Sequence, residues 1–403
     1  MNTSKLLLIL SLLTLVTSAS AQTPTNNPTL CVGAEVLLSS DCPDEALAPL
    51  ANGNRIAVVA NHTSLVGHTH LVDTLLSLGF NVTKIFCPEH GFRGTADAGA
   101  SVSNSVDSKT SLPIISLYGK NKKPSPEQMS DIDCLIFDLQ DVGCRFYTYI
   151  STMHYTMEAC AERGIPILVL DRPNPNRSYV DGPVLDTAKF KSFVGMHPVP
   201  IVYGLTIGEY ALMINGEGWL SHGQYCDLRV LPMTGYVIDS LYELPVPPSP
   251  NLRNRHAIAL YPSLCLFEGT NVSVGRGTDH PFEIIGIPLP LSTIIDGNAQ
   301  FRVGDNLLWG KFFSPKGKEM HYGLDLTPAD VPKKFDLSYL QLMYAMTKRG
   351  KFFLSNNFFE KLAGTSDLRR QLETGASEEE IRSSWEPQLS RYLSIRQKYI
   401  LYE

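Results

Sequence analysis

Short apolar runs alternate with segments of helical periodicity along the first half of the chain. The runs predict buried β-strands at 55–61, 82–86, 112–117, 133–139 and 165–170. Apolar residues at helical spacing predict amphipathic helices between them, one over 71–78 that ends at Gly79 and one that ends at Gly164. Buried strands that alternate with helices are typical of a parallel sheet covered on both faces. The pattern therefore predicts an α/β fold built on a Rossmann-like, doubly wound parallel sheet.

A proline-rich stretch at 245–250 (PVPPSP) predicts a stiff joint, and the pattern changes beyond it. The segment 261–278 is expected to be loop-rich. A capping box formed by Ser377 and Glu380 predicts the start of a final helix, which Pro387 is expected to bend or split. Because 403 residues exceed the usual size of one core, we predict a catalytic domain over 32–254 and a smaller α/β C-terminal domain over 255–403.

The first 21 residues have the pattern of an export signal. Lys5 precedes an apolar run over 6–16, and Ala19-Ser20-Ala21 forms a small-residue cleavage motif. The run is shorter than the roughly 18 apolar residues of a membrane span, and no later segment reaches that length. No cysteine lies at the cleavage point, so we predict no membrane anchor. We therefore expect a periplasmic or secreted protein with a signal peptide over 1–21.

Composition narrows the classes of function. The hydrophobic fraction of 43% and the charged fraction of 18% are those of an ordinary globular protein. A net charge of −6 argues against a broad electrostatic surface, so we predict no nucleic-acid partner. The eight cysteines match no compact disulfide framework, although Cys31 and Cys42 could pair after export.

Several motifs typical of cofactor binding, metal binding and nucleophilic catalysis are absent from the sequence. The first strand is not followed by GxGxxG, and no GxxxxGK[ST] is present, which argues against a dinucleotide or a nucleotide phosphate. The nucleophile motif GxSxG and the zinc motif HExxH are also missing. The histidines at 62, 68, 70 and 90 lack a firm metal-ligand spacing. We therefore predict neither a cofactor nor a metal.

Polar residues follow four of the predicted strands at the point where each strand ends. These exits are 61–63, 87–91, 138–141 and 171–174. In an open parallel sheet, ligands bind beyond the carboxyl ends of the strands, and those ends meet at one edge. The sequence therefore predicts one polar site that includes Asn61, Asp138, Gln140 and Asn174.

The stretch FCPEHGFRG (86–94) carries the main catalytic candidate. Pro88 and Gly91 predict a tight turn that holds Glu89 and His90 at the exit of the second strand. A carboxylic acid in a partly dry cleft can donate a proton to a leaving oxygen. The structural alternative is that Glu89 caps the following turn and His90 packs beside it.

Two further clusters combine residue types that bind sugars. In the first, Asp138 and Gln140 precede Arg145, which can pair with a carboxylate, and Tyr147, whose ring can stack on a sugar. The second, on the glycine-rich stretch 267–279, contains Glu268, Thr270, Asn271 and Arg276. The alternatives are a helix capped by Asp141 with its tyrosines in the core, and a plain connecting loop.

The motifs occur together in one known family. The chain resembles the exo-β-N-acetylmuramidases of peptidoglycan turnover, long catalogued as a family of unknown function, in FCPEHGFRGTADAG, DCLIFDLQDVGCRFYTYISTM, LDRPNP, DGPVLD, FVGMHPVPIVYGLTIGE, SPN and LFEGTNVSVGRGTD. The likeness runs in similar order and spacing from about Arg55 to the C-terminus. It implies a Rossmann-like catalytic lobe, a smaller C-terminal lobe and an active cleft between them.

The resemblance also implies a reaction and a substrate. Members of the family hydrolyse a β-1,4 bond and release N-acetylmuramic acid (MurNAc) from non-reducing ends, after amidases have removed the peptide. The expected substrates are peptidoglycan-derived oligosaccharides of MurNAc and N-acetylglucosamine (GlcNAc). The glutamate of the family's PEHG motif falls on Glu89, which is expected to be the general acid, with His90 orienting it.

The remaining candidates are expected to bind the sugar. Hydroxyl or acetamido groups would be bound by Asn61, Asp138 and Gln140, and the SPN motif adds Asn251. The lactyl carboxylate, which distinguishes MurNAc from GlcNAc, would be bound by Arg93, Arg145 or Arg276.

The sequence leaves two points open. The second catalytic group is Glu268, Asp138 or the substrate's own acetamido group. Two other classes of protein also fit the residues. A non-catalytic protein would capture muropeptides without releasing sugar, and a metal-dependent hydrolase would lose activity on chelation.

Overall fold

A computed structural model of the chain describes residues 29–51, 53–92, 104–238, 242–288, 299–315, 319–348 and 350–402. The predicted signal peptide and Arg93 lie outside these residues. The fold is α/β, with a mostly parallel central sheet and a separate, smaller C-terminal domain with an antiparallel sheet. The predicted fold class is therefore confirmed.

The central sheet follows from the apolar runs of the first half of the chain. Its strands are β1 (Ile56–Ala60), β4 (Val82–Cys87), β5 (Ser105–Val106), β6 (Pro113–Ser116), β7 (Cys134–Asp138), β8 (Ile167–Leu170) and β9 (Leu228–Leu231), while β2 (Leu65–Val66) and β3 (Thr69–His70) form a separate hairpin. Within the described residues the order is β5-β6-β4-β1-β7-β8-β9. All neighbours run parallel except β5, which is antiparallel to β6.

Helices cover both faces of this sheet. The helices of this part of the chain are α1 (Gly33–Leu37), α2 (Asp44–Leu47), α3 (Leu71–Ser77), α4 (Pro126–Met129), α5 (Tyr149–Arg163), α6 (Thr187–Phe190) and α7 (Ile207–Gly216). Side chains alternate along β1, so Val59 packs into the core on the side of α5 and α7, whereas Val58 packs into the core on the side of α1 and α3. The central strands β1, β7 and β8 are buried along their whole length, which explains their continuous apolar runs.

The C-terminal domain is built on a smaller antiparallel sheet. Its elements are α8 (Arg255–Leu264), β10 (Ile284–Pro288), β11 (Gln300–Val303), β12 (Asn306–Phe313), β13 (His321–Asp325), α9 (Ser338–Met346), α10 (Phe358–Ala363), α11 (Asp367–Thr374) and α12 (Glu378–Arg396). In the described part the strand order is β10-β13-β12-β11. Short 3₁₀ turns lie at Ala48–Leu50, Ser221–Gly223, Cys265–Gly269 and Gln397–Tyr399.

The structure differs from two local predictions, each at a segment that contains a proline. The segment expected to be loop-rich from residue 261 begins inside α8, which contains Pro262. The carbonyl of Ile258, whose helical bond Pro262 cannot make, instead accepts a hydrogen bond from Nδ2 of Asn176. Pro387 does not split α12, because it lies on the exposed face while Ile381, Trp385, Leu389 and Tyr392 anchor both halves of the helix in the core.

The disulfide that Cys31 and Cys42 could form is absent from this structure. Cys31 and Cys42 are both half-buried free thiols. Burial, with the nearby carboxylate of Asp44, raises the pKa of Cys42, so its thiol is the protonated form at neutral pH.

Candidate active site

A cavity of about 710 Å³ opens between the two domains at the carboxyl edge of the central sheet. One side of its wall comes from loops that follow the parallel strands, and the other comes from the C-terminal domain. The lining includes Glu89, His90, Tyr118, Lys122, Tyr147, Thr148 and Phe193 on the first side, and Glu268, Arg276, Phe282 and Phe358 on the second. This volume is in the range of pockets that enclose a small ligand.

The turn after β4 fixes Glu89 in the wall. The amide of Gly91 donates a 3.1 Å hydrogen bond to the carbonyl of Pro88, which closes a four-residue turn. His90 has a left-handed backbone, with φ of 74°, as the third position of a type II turn requires. Such a conformation is unfavourable for a residue other than glycine and is often found at functional sites. The Glu89 side chain is buried, with 8% of the residue exposed.

Two hydroxyl groups hold the Glu89 carboxyl. Oγ1 of Thr148, the residue before α5, donates a 2.8 Å bond to Oε2 of Glu89. The hydroxyl of Tyr118, after β6, also bonds to Glu89, and burial together with this carboxylate raises the pKa of Tyr118 to about 12. Hydroxyls can donate or accept, so the same partners fit Glu89 with or without its proton. The carboxyl is therefore held in place while it can gain or lose a proton.

A second carboxylate faces the cavity from the C-terminal domain. Glu268 lies on the 3₁₀ turn after α8 and forms an ion pair with Nε of Arg276. The guanidinium of Arg276 lies 5.0 Å from the ring centroid of Phe282. Burial opposes the charge of Arg276, but the carboxylate of Glu268 outweighs it and raises the pKa of the arginine. Arg276 therefore carries its charge at neutral pH.

Tyr147 links the wall to the proline-rich stretch. Its ring lines the cavity, and its hydroxyl donates a 2.8 Å bond to the carbonyl of Pro248. Tyr149 and Tyr261 pack edge-on against the same ring. A ring fixed in this way presents an apolar surface against which a sugar face can pack.

Three predicted sugar-binding residues lie outside the lining and are bound to other protein groups. Nδ2 of Asn61 donates to the hydroxyl of Tyr149, at 2.6 Å. The carboxylate of Asp138 forms a buried ion pair with Arg172. Nε2 of Gln140 donates to the carbonyls of Asp141 and Pro173. These side chains stabilise the strand exits beneath the cavity wall.

Arg145 lies away from the cavity, in a fully buried position between the two domains. Its two terminal nitrogens donate to four backbone carbonyls, those of Pro183, Val199, Leu362 and Ala363. Burial lowers the pKa of Arg145 to about 10. Its terminal donors already have partners, so the guanidinium joins the domains and is not exposed to a substrate carboxylate.

Four other predicted residues also lie outside the lining. Asn174 bonds to the carbonyl of Leu205 and the amide of Asn176. The hydroxyl of Thr270 bonds to the carbonyl of Phe267, and exposed Asn271 donates to the carbonyl of Lys351. Asn251 is half-buried. The structure therefore brings together Glu89, His90, Tyr147, Glu268 and Arg276 of the predicted set.

Sequence reasoning missed several residues of the wall. Tyr118 and Lys122 follow the predicted strand at 112–117, so the rule that ligands bind beyond strand ends could have found them. Thr148 lies inside a motif that the sequence singled out for its neighbours. Phe193 and Phe358 carry no local signal, because they reach the cavity only through packing of distant segments.

The described residues form neither a metal-binding cluster nor a membrane-spanning helix. Within those ranges, no three His, Cys, Asp or Glu side chains cluster as metal ligands would. Among the helices that the structure describes, none combines the length and apolar character needed to cross a membrane.

The fold and the cavity define the class of protein. A two-domain α/β chain with two carboxyl groups in one interdomain cavity has the groups that glycoside hydrolases use. Residues 56–256 match the family described as Exo-beta-N-acetylmuramidase NamZ, N-terminal, and residues 259–402 match its C-terminal counterpart. The chain belongs to the NamZ exo-beta-N-acetylmuramidase family.

Individual relatives agree with this assignment. The chain is 39% identical over 411 residues to the peptidoglycan beta-N-acetylmuramidase NamZ of Bacillus subtilis (strain 168), and the match covers 96% of each chain. Two solved structures of DUF1343 family proteins from Bacteroides fragilis are also similar. One is 43% identical with a TM-score of 0.78, and the other is 29% identical with a TM-score of 0.77. Each comparison covers 93% of this chain and 99% of the other.

Proposed function

We propose that this protein is an exo-acting glycoside hydrolase that releases MurNAc from the non-reducing ends of peptidoglycan fragments. The observation that carries the proposal is Glu89, held by a turn and two hydroxyls in the wall of a cavity that Glu268 also faces. The name of the relative from Bacillus subtilis supplies the substrate class. The substrates would be peptidoglycan-derived MurNAc–GlcNAc oligosaccharides.

Glu89 acts as the general acid in this proposal. It transfers its proton to the bridging oxygen as the bond from that oxygen to the anomeric carbon breaks, and the departing sugar leaves with a neutral hydroxyl. Positive charge then develops on the anomeric carbon and the ring oxygen of MurNAc. His90, beside Glu89 in the strained turn, is a positioning residue that keeps the carboxyl directed at the cavity.

Glu268 is the proposed second carboxylate. Of the two carboxylates considered from the sequence, Glu268 lines the cavity, whereas Asp138 is fully buried against Arg172. Arg276 forms an ion pair with Glu268 and holds its carboxylate at the cavity wall. In one route Glu268 takes a proton from water, and the water oxygen bonds to the anomeric carbon. In the other route the Glu268 carboxylate bonds to the anomeric carbon, and water then cleaves this ester while Glu89, which has lost its proton, takes a proton from that water.

The place of action is also a proposal. The sequence over 1–21 supports export, and the proposed substrates are fragments of the cell wall. We propose a periplasmic or secreted protein without a membrane anchor. Detection of a mature chain that starts near Gln22 outside the cytoplasm would support this, and an uncleaved chain in the cytoplasm would contradict it.

A chromogenic β-muramide tests the activity. We expect the wild-type protein to release MurNAc, and we expect Glu89→Gln to lower kcat about a hundredfold or more. Glu379→Gln, at an exposed position, is the matched control and should retain activity. A folded Glu89→Gln protein with full turnover would remove Glu89 from the mechanism. Saturable binding of the muramide by wild-type protein without release of sugar would instead favour a non-catalytic binding protein.

A further inference from the structure

Lys122 is a cation of the cavity wall that has no anionic partner within the described part of the chain. It follows β6 by six residues, on the loop that also supplies Tyr118 to Glu89. Arg276, in the same wall, is neutralised by Glu268. The described contact of Lys122 is with an aromatic ring, because its Nζ lies 4.9 Å from the ring centroid of Phe193.

Phe193 is a fixed platform for this ammonium group. Its ring stacks on Tyr155 with centroids 6.3 Å apart and an interplanar angle of 17°. It also packs against Tyr118, with centroids 6.1 Å apart. The face of an aromatic ring attracts a cation, so the ring limits the directions that the lysine side chain takes. The ammonium group is therefore held at the wall, half-buried and without a counter-charge from the described residues.

Lys122, Phe193 and Val194 together form a small surface of mixed character in the same cavity as Glu89. A charged donor lies beside an aromatic ring and a branched apolar side chain. The lactyl group of MurNAc has the complementary character, since it carries a carboxylate and a methyl group on one carbon. GlcNAc has a hydroxyl at the same position and offers neither feature.

We propose that Lys122, Phe193 and Val194 form the subsite for the lactyl group, with the ammonium of Lys122 on the carboxylate and the two apolar side chains against the methyl. This subsite rests on the proposed function, because it names the group by which that site selects its substrate. Of the three arginines that the sequence suggested for this role, Arg93 lies outside the described residues, and the other two are less suitable. Arg145 is buried on four carbonyls, and Arg276 is occupied by Glu268.

Binding of free sugars tests the subsite without requiring turnover. Calorimetric titration would compare MurNAc, its methyl ester and GlcNAc on the wild-type protein, on Lys122→Met and on Lys122→Arg. We expect the wild-type protein to prefer MurNAc to the ester by about tenfold, which is the effect of one partly screened charged hydrogen bond. Lys122→Met should lose this preference and bind the ester as before, whereas Lys122→Arg should keep most of it.

Lys120→Met is the matched control. Lys120 lies two residues away on the same loop, is exposed and is absent from the cavity wall, so its loss should leave the preference unchanged. Added salt should shrink the preference of the wild-type protein, because screening weakens a charge pair. The proposal is overturned if Lys122→Met weakens MurNAc and the ester equally or changes neither. It is also overturned if wild-type protein does not prefer MurNAc.

Turnover separates this inference from the proposed function. If the wild-type protein cleaves the β-muramide, Lys122→Met should raise KM about tenfold with little change in kcat, as expected for loss of uniform binding. An equal fall of kcat with unchanged KM would contradict a binding role. If the wild-type protein releases no sugar but keeps a lysine-dependent preference for MurNAc, the hydrolase proposal fails and the subsite stands.

Discussion

Oγ1 of Thr148 donates a hydrogen bond of 2.8 Å to Oε2 of Glu89, so the start of α5 is tied to the turn after β4. The two residues are 59 positions apart in the sequence. Their side chains meet because β4 and β7 both pair with β1 in parallel and end at the same edge of the sheet. The parallel pairing of these strands therefore allows Thr148 to hold the carboxyl group of Glu89 in one position.

Loss of the Thr148 hydroxyl should impair turnover. We expect Thr148→Val to lower kcat about ten- to a hundredfold, because it leaves a buried oxygen of Glu89 without its donor, which costs about 1–3 kcal/mol. Thr148→Ser keeps the hydroxyl and should remain within a few-fold of the wild-type rate. Steady-state kinetics on a β-muramide would measure both. Equal rates for the valine and serine variants would show that this bond does not matter to the reaction.

The two carboxylates proposed for the second role should respond differently to neutralisation. Glu268→Gln should lower kcat about a hundredfold or more with only a small loss of stability, because its ion pair with Arg276 is partly exposed at the cavity. Asp138→Asn should instead lower the free energy of unfolding by about 3–5 kcal/mol, since it leaves buried Arg172 without its counter-charge. Kinetics and urea unfolding separate the two effects. A stable Asp138→Asn protein without turnover would reverse the assignment. NMR of the anomer released by the wild-type protein adds a second test, because an inverted product indicates that Glu268 acts as a base, whereas a retained product indicates a nucleophile, either Glu268 or the acetamido group of the substrate.

Arg145 should matter for stability rather than for substrate binding. Arg145→Met removes the donors from four buried carbonyls, and we expect the free energy of unfolding to fall by about 3 kcal/mol or more. Arg163→Met, at an exposed position, should change it by less than about 0.5 kcal/mol. Urea unfolding measures both variants. A stable Arg145→Met protein with a raised KM would restore the carboxylate-binding role that the sequence suggested.

A buried histidine pair should make stability depend on pH. Nε2 of His197 and Nδ1 of His154 are 2.9 Å apart, and His197 stacks on Trp219. Burial outweighs the carboxylate of Glu158 and lowers the pKa of His154 to about 4, and burial also lowers that of His197. The unfolded chain therefore takes up protons below about pH 6.5 while the folded chain does not, so folding stability from His154 is lost as the pH falls from about 6.5 to 4.

His154→Gln isolates this effect from other groups. Asp141 and Asp171, whose pKa values burial raises to about 6, favour the folded state over part of the same range, so the quantity to measure is a difference between proteins. We expect the gap in unfolding free energy between wild-type protein and variant to change by up to about 3 kcal/mol between pH 7 and pH 4, in favour of the variant at low pH. His222→Gln, at an exposed position, should show no such change. A constant gap for His154→Gln would show that this histidine is not buried in its neutral form.

The sequence determined the central sheet and the main catalytic candidate. Strands buried on both faces require continuous apolar residues, so the runs that became β1, β4, β7 and β8 could be read directly. Glu89 was found for a local reason as well, because Pro88 and Gly91 set its turn within the same short motif. Features encoded by neighbouring residues can be predicted from their spacing.

The tertiary structure decided which polar side chains face the cavity. Asp138 and Glu268 were equivalent candidates in the sequence, but Arg172 pairs with Asp138 in the interior, while Glu268 opens onto the cavity. The structural role of Arg145 likewise follows from its bonds to the carbonyls of Leu362 and Ala363, which lie more than 200 positions away in the sequence. A buried polar group takes the partner that the fold brings to it, and that partner comes from another element. The spacing of residues along the sequence therefore does not predict whether a charged side chain contacts the substrate or another part of the protein.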